Sequence, residues 1–137
     1  MKSYLYLLGL VLTAITACNR QPELPARRFG MVTGLKPEQV NTYKDLHAHA
    51  WAGVLAKIKS CHIRNYSIYL KEIDHKFYLF SYFEYDGQDF EADMKSMAAD
   101  KTTRLWWQKT DPTQLPLPDA AAKKQIWSNM EEVFHTN

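Results

Sequence analysis

The chain is poor in cysteine: its 137 residues hold two, Cys18 and Cys61. Cys18 closes an apolar leader, so no disulfide framework is available to the rest. The five histidines follow neither the HExxH spacing nor a paired CxxC pattern, which disfavours metal catalysis, and no metal ligands are assigned. An excess of charge of either sign is also lacking. Seventeen basic residues against fifteen acidic give a net +2, and Lys2, Arg20, Arg27 and Arg28 all stand at or before the start of the folded part. The remainder is near neutral, without a basic patch for nucleic acid. Aromatic residues are abundant instead: eight tyrosines, six phenylalanines and four tryptophans. Such an excess suits a core, an interface between subunits or a pocket that stacks on a sugar.

Residues 1–18 carry one early lysine, then an apolar run that ends in small residues. The pattern is that of a secretory signal peptide, with a run too short for a comfortable membrane span. Its end, Ile15-Thr16-Ala17-Cys18, resembles a bacterial lipobox, the signal after which the leader is removed and the cysteine diacylated. The expectation is a protein of the bacterial cell envelope, lipid-anchored through Cys18 and facing the periplasm or the exterior. Residues 19–26 hold two prolines and no periodicity, a short tether. One domain, 27–137, follows, and Cys61 within it reads as a small buried residue.

In that domain Phe29, Met31, Thr33 and Leu35 alternate against Arg28, Gly30, Val32 and Gly34, the signature of a first strand. The two glycines admit a close neighbour on their face, most commonly a packed helix. Pro37 and Glu38 suit the first turn of a helix expected to run to about Ser60. Residues 65–70 and 77–85 alternate on either side of a polar stretch, 71–76, and predict an antiparallel hairpin. The second of these strands is apolar on both faces, so both need covering, the outer one by a partner subunit. Phe90, Met94, Met97 and Ala98 predict a helix over roughly 88–99, and Thr102-Thr103 cap another through Lys109. Asp111–Pro118 reads as a loop, and Met130–His135 as the last strand. The order strand, helix, strand, strand, helix, strand is an α+β, ferredoxin-like βαββαβ arrangement.

The long helix organises the chain. Tyr43, His47 and Trp51 are spaced four residues apart on the face shared with Val40, Val54 and Ile58. His47 thus sits in the stripe that must be buried. A lone histidine there is more often a core residue satisfied by a neighbour such as Tyr43. Flanked by a phenol and an indole, it is equally what a polyhydroxylated ligand needs. His49 falls about 160° away and reads as solvated, so the pair does not chelate one metal.

Taken with that order of elements, Tyr43-x3-His47-x3-Trp51, Asn65–Leu70, Arg104-x-Trp106-Trp107 and Glu131–Phe134 resemble the L-rhamnose mutarotase family over residues 27–136. The resemblance implies a dimeric α/β barrel whose subunits pair through their sheets. It also implies an isomerase that interconverts the α and β anomers of a 6-deoxy-L-hexose, L-rhamnose first and L-fucose as the alternative, with no cofactor. His47 matches the catalytic histidine, and Tyr43, Tyr66, Trp106 and Trp107 the substrate-contacting positions. After Trp51 the family usually has proline and then an acidic residue, where this chain has Ala52-Gly53. Two rival readings are a non-catalytic sugar-binding lipoprotein of the same fold and a haem-handling relative of the wider barrel group.

Overall fold

The computed structural model describes residues 26–136. The leader with Cys18, and the tether as far as residue 25, lie outside the described residues. The first alternating stretch forms β1 (Arg27–Leu35). It pairs antiparallel along its whole length with β3 (Lys76–Tyr85), from Arg27↔Tyr85 to Leu35↔Phe77. The other edge of β3 carries β2 (Ile63–Ile73), again antiparallel. β1 and β2 therefore run parallel with β3 between them, the split crossover of a ferredoxin-like fold. On the far side of β1 lie two short pieces, β4 (Gln114–Leu115) and β5 (Ser128–Met130). Together they occupy the place of the single fourth strand, and α5 (Pro118–Ala122) sits between them. The α+β fold class holds, as one curled antiparallel sheet with helices against it.

Several expected boundaries are corrected. The long helix is broken. After a 3-10 turn at Pro37–Gln39 come α1 (Val40–Ala48) and α2 (Ala52–Ser60), and Trp51 between them is extended, with φ −68° and ψ 133°. The two halves pack on different partners: α1 on the 3-10 turn Asp111–Thr113, α2 on β2 and on α4 (Lys101–Thr110). A straight helix could not reach both. His49, at the break, uses its side chain on the Asp45 carbonyl 3.0 Å away and is exposed, as expected. The polar stretch 71–76 is mostly strand. The reversal needs only Asp74 and His75, both at positive φ (48° and 60°), a pairing that matches the twist of a two-residue hairpin. The cap of α4 is Asp100, which accepts from the Thr103 N–H at 2.7 Å, in place of the two threonines. The last strand is Ser128–Met130, paired with Val32–Gly30 of β1, and the expected continuation to His135 is not strand. Beyond it, Arg28 grips Glu132 through two bonds of 2.7 and 2.9 Å.

Gly34 is required by neither a helix nor a ligand. A Cβ there would stand 2.7 Å from the Leu115 carbonyl oxygen, so glycine lets β4 close on β1.

The side chains of β3 that face the helices, Leu79, Ser81, Phe83 and Tyr85, are buried. Phe83 and Tyr85 pack with Cys61 just after α2, Ile63 of β2 and Met97 of α3 (Phe90–Ala99), and Leu79 packs with Leu35 and Tyr43. Burying each large apolar side chain contributes about 1.5–3 kcal/mol. Cys61 is a free thiol, 1% exposed. The opposite face of the sheet is not covered by the described residues, and Tyr69 there is 62% exposed.

Candidate active site

Helices and sheet enclose a cleft of about 1290 Å³ lined by Tyr43 and His47 of α1, Tyr66 of β2, and Trp106 and Trp107 of α4. All five residues expected at the site are brought together.

His47 is oriented from within its own helix. Its Nδ1 lies 2.9 Å from the Tyr43 carbonyl oxygen. A carbonyl only accepts, so Nδ1 carries the proton and Nε2 presents its lone pair. The Tyr43 ring stacks on the imidazole at 4.1 Å with 28° between planes, and Trp106 meets it edge-on at 5.4 Å. Trp106 also makes a T-shaped contact with Trp51 at 5.5 Å, so Trp51 braces the site from the helix break without lining the cleft. Burial lowers the His47 pKa below its ordinary 6.5, and the bond to the Tyr43 carbonyl, which favours the charged ring, offsets part of this.

Tyr66 is aimed by a bulge. The pairing Arg64↔Glu84 gives way to Ser67↔Tyr82, so Asn65 and Tyr66 together face Phe83. Asn65 takes φ 49° and donates from Nδ2 to Glu84 Oε2 at 2.8 Å. The extra residue resets the alternation, so Ile63 joins Tyr66, Ile68 and Leu70 in lining the cleft. Alternation read from sequence grouped the last three correctly and left Ile63 unplaced. Tyr66 lines an open cleft and exposes 40% of its surface, yet the protein around its hydroxyl end pushes the phenol up to about 12. The Tyr43 phenol is raised further, by burial first and then by Tyr66 and Asp111. Both phenols are neutral at physiological pH, able to donate to and accept from a ligand hydroxyl.

The adjacent tryptophans divide their work. Trp106, 6% exposed, packs beside His47, while half-buried Trp107 leans on the cluster of Cys61, Ile63 and Phe83. Two polar residues of the cleft were not singled out from sequence. Asp111 has its carboxyl pKa raised by burial, and Gln114, 5% exposed, has a side-chain oxygen without a hydrogen bond among the described residues. Both stand in a segment that reads as a loop, and only the pairing of β4 with β1 turns it inward. No group of three or more His, Cys, Asp or Glu side chains among the described residues could hold a metal.

The fold and the cleft define an α+β half-barrel with one oriented histidine, two phenols and an aromatic wall, a site for a small polyhydroxylated ligand. Residues 28–136 match the model of the L-rhamnose mutarotase family. The chain is 25% identical over 109 residues to an L-rhamnose mutarotase of Oceanobacillus iheyensis, covering 80% of this chain and 97% of that one. Its fold is similar to the crystal structure of an L-rhamnose mutarotase from Formosa agariphila, with a TM-score of 0.61 and 22% identity, over 81% of this chain and 99% of the other. The chain belongs to the L-rhamnose mutarotase family, and its reaction is an isomerisation, the interconversion of sugar anomers.

Proposed function

We propose that this protein interconverts the α and β forms of L-rhamnose with His47 as general acid and base, as a homodimer held at the bacterial envelope by lipid on Cys18. The observation that carries the chemistry is the His47 tautomer, with Nδ1–H committed to Tyr43 and Nε2 left for the substrate. Neutral Nε2 takes the proton of the anomeric hydroxyl as the C1–O5 bond breaks, and the imidazolium returns a proton to the ring oxygen, leaving the open aldehyde. Rotation about C1–C2 followed by the reverse steps gives the other anomer. A group titrating near neutrality serves both directions, worth about 10²- to 10⁴-fold. Tyr43 and Tyr66 offer neutral hydroxyls to the sugar, and Trp106 and Trp107 offer flat apolar walls. The largely apolar lining, Ile68 and Leu79 included, suits the methyl group of a 6-deoxy sugar.

Saturation-transfer NMR follows exchange between anomers directly. Acceleration with L-rhamnose is expected; acceleration with L-fucose alone would change the substrate, and none with either would reject the assignment. The dimer is supported by the uncovered sheet face, where Tyr69, Leu115 and Met130 are 62%, 46% and 41% exposed beside half-buried Phe80 and Tyr82. Anchoring is supported by the leader that ends at Cys18. Cys18→Ser is expected to leave the membrane fraction, and its retention there would refute the anchor.

A further inference from the structure

Asp111 carries the one carboxyl among the described residues that line the cleft, and the reaction above does not use it. It closes α4, where its backbone N–H donates to the Trp107 carbonyl, and it opens the 3-10 turn on which α1 packs, so its place beside α1 is set by that packing. The carboxyl is half-buried and poorly satisfied. Oδ1 accepts from Thr110 Oγ1 at 3.5 Å, the far limit of such a bond, and no cation among the described residues forms an ion pair with it. Oδ2 accepts no hydrogen bond among those residues. The half-buried or buried side-chain oxygens there that are both unpaired and sealed from solvent are Ser81 Oγ and Gln114 Oε1, so Oδ2 is open to what enters the cleft. By the same reasoning Tyr43 Oη is unpaired and open, although the residue as a whole is 5% exposed.

Tyr43 gives the direction. Its ring stacks on the imidazole of His47, while its hydroxyl end feels the charges of Tyr66 and Asp111, and the charge of Asp111 does not act on His47. The carboxylate therefore lies toward the phenol end, away from the imidazole. In a pyranose the ring atoms opposite C1 and O5 are C4 and C3, so a sugar that offers its anomeric hydroxyl and ring oxygen to His47 turns its C3 and C4 hydroxyls to the other side. An ionised carboxyl only accepts, and its two oxygens suit two adjacent hydroxyls. We propose that Asp111 is a specificity-determining residue, whose carboxylate accepts hydrogen bonds from the C3 and C4 hydroxyls of the bound 6-deoxyhexose. The inference rests on the sugar reading of the cleft. In L-rhamnose both hydroxyls are equatorial, whereas in L-fucose the C4 hydroxyl is axial, so a carboxylate fixed at the end of α4 meets both in the first sugar and one in the second. A sugar that lacks either hydroxyl leaves a half-buried charge short of a partner, the asymmetry by which a site rejects an analogue without the group it binds.

The test is anomer exchange by NMR with L-rhamnose, L-fucose and the 2-, 3- and 4-deoxy forms of L-rhamnose, on wild type and Asp111→Asn. Asparagine keeps the shape and removes the charge and one acceptor. In wild type the 3- and 4-deoxy sugars are each expected to lose about 10- to 150-fold in kcat/KM, well beyond the 2-deoxy form. In Asp111→Asn, L-rhamnose itself loses a similar factor, in KM more than in kcat, the penalties for the 3- and 4-deoxy sugars shrink toward that of the 2-deoxy form, and the preference between L-rhamnose and L-fucose narrows. A merely structural Asp111 would slow all the sugars alike, and unchanged ratios in a folded variant would overturn the proposal. Should the variant fail to fold, the wild-type panel decides: 3- and 4-deoxy sugars no worse than the 2-deoxy form would overturn it as well. Binding, followed by tryptophan fluorescence, separates this failure from failure of the mutarotase reading. A wild type that binds L-rhamnose in preference to its 3- and 4-deoxy forms without accelerating exchange, and loses that preference in the variant, keeps the Asp111 role and discards the enzyme. A wild type that binds no sugar of the panel overturns both.

Discussion

The side chain of His47 turns back one helical turn and donates from Nδ1 to the carbonyl oxygen of Tyr43, 2.9 Å away, while the Tyr43 ring covers its face at 4.1 Å. One residue thus fixes both the tautomer and the plane of the imidazole. Rotation of the ring would break the bond and the stack together.

His47→Ala is expected to lower anomer exchange by about 10²- to 10⁴-fold while sugar binding, read by tryptophan fluorescence, persists. In the proposed reaction the neutral imidazole is the working base, and burial lowers its pKa below 6.5. The acid limb of kcat/KM should therefore fall below pH 6.5, not above it. For stability the sign is the same. The folded pKa lies below the unfolded one, so this contribution is present above pH 6.5 and is lost as pH falls from there through the lowered value. Urea titrations at a series of pH values should show His47→Ala with a flatter dependence than wild type across that window.

Trp106 carries structure as well as the proposed substrate contact: its indole lies edge-on to both His47 and Trp51. Trp106→Ala is expected to cost about 3–5 kcal/mol in urea unfolding. A loss below about 1 kcal/mol would mean that the indole is not part of the core.

The bulge should be sensitive to backbone more than to side-chain chemistry. Asn65 sits at φ 49°, so Asn65→Val is expected to destabilise by about 1–2 kcal/mol, while Asn65→Gly stays close to wild type. Tyr66 is aimed by this residue, so the valine variant should also raise KM for the sugar. An unaltered KM in a destabilised Asn65→Val protein would detach the bulge from substrate binding.

For the outer sheet face, wild type is expected to sediment as the proposed dimer at micromolar concentration in analytical ultracentrifugation, and the charge in Phe80→Glu to give a monomer with the domain still folded. Phe80 lies on β3 opposite Tyr69 of β2 and Val32 of β1, the middle of the uncovered surface. An unchanged sedimentation coefficient would place the interface elsewhere.

Much of this protein was decided locally. Alternation in β1 and β3, the spacing of Tyr43 and His47, and the adjacent pair Trp106-Trp107 each specify a face of one element, and faces follow from backbone periods of 2 and 3.6 residues. The order of elements then leaves few topologies, and the ferredoxin-like one was legible. What the sequence could not show are the features set by contacts between distant elements. The helix breaks at Ala50-Trp51 because its halves pack on Asp111–Thr113 and on α4. Asn65 shifts the register of β2 against β3, a property of the pair and not of either strand. Gln114 stands in a proline-rich stretch with no periodicity. It reaches the cleft only because Gly34, eighty residues earlier, has no side chain to hold β4 away. Local pattern thus determined which residues share a surface, and long-range packing decided which surfaces meet, because no short segment encodes the partner it closes on.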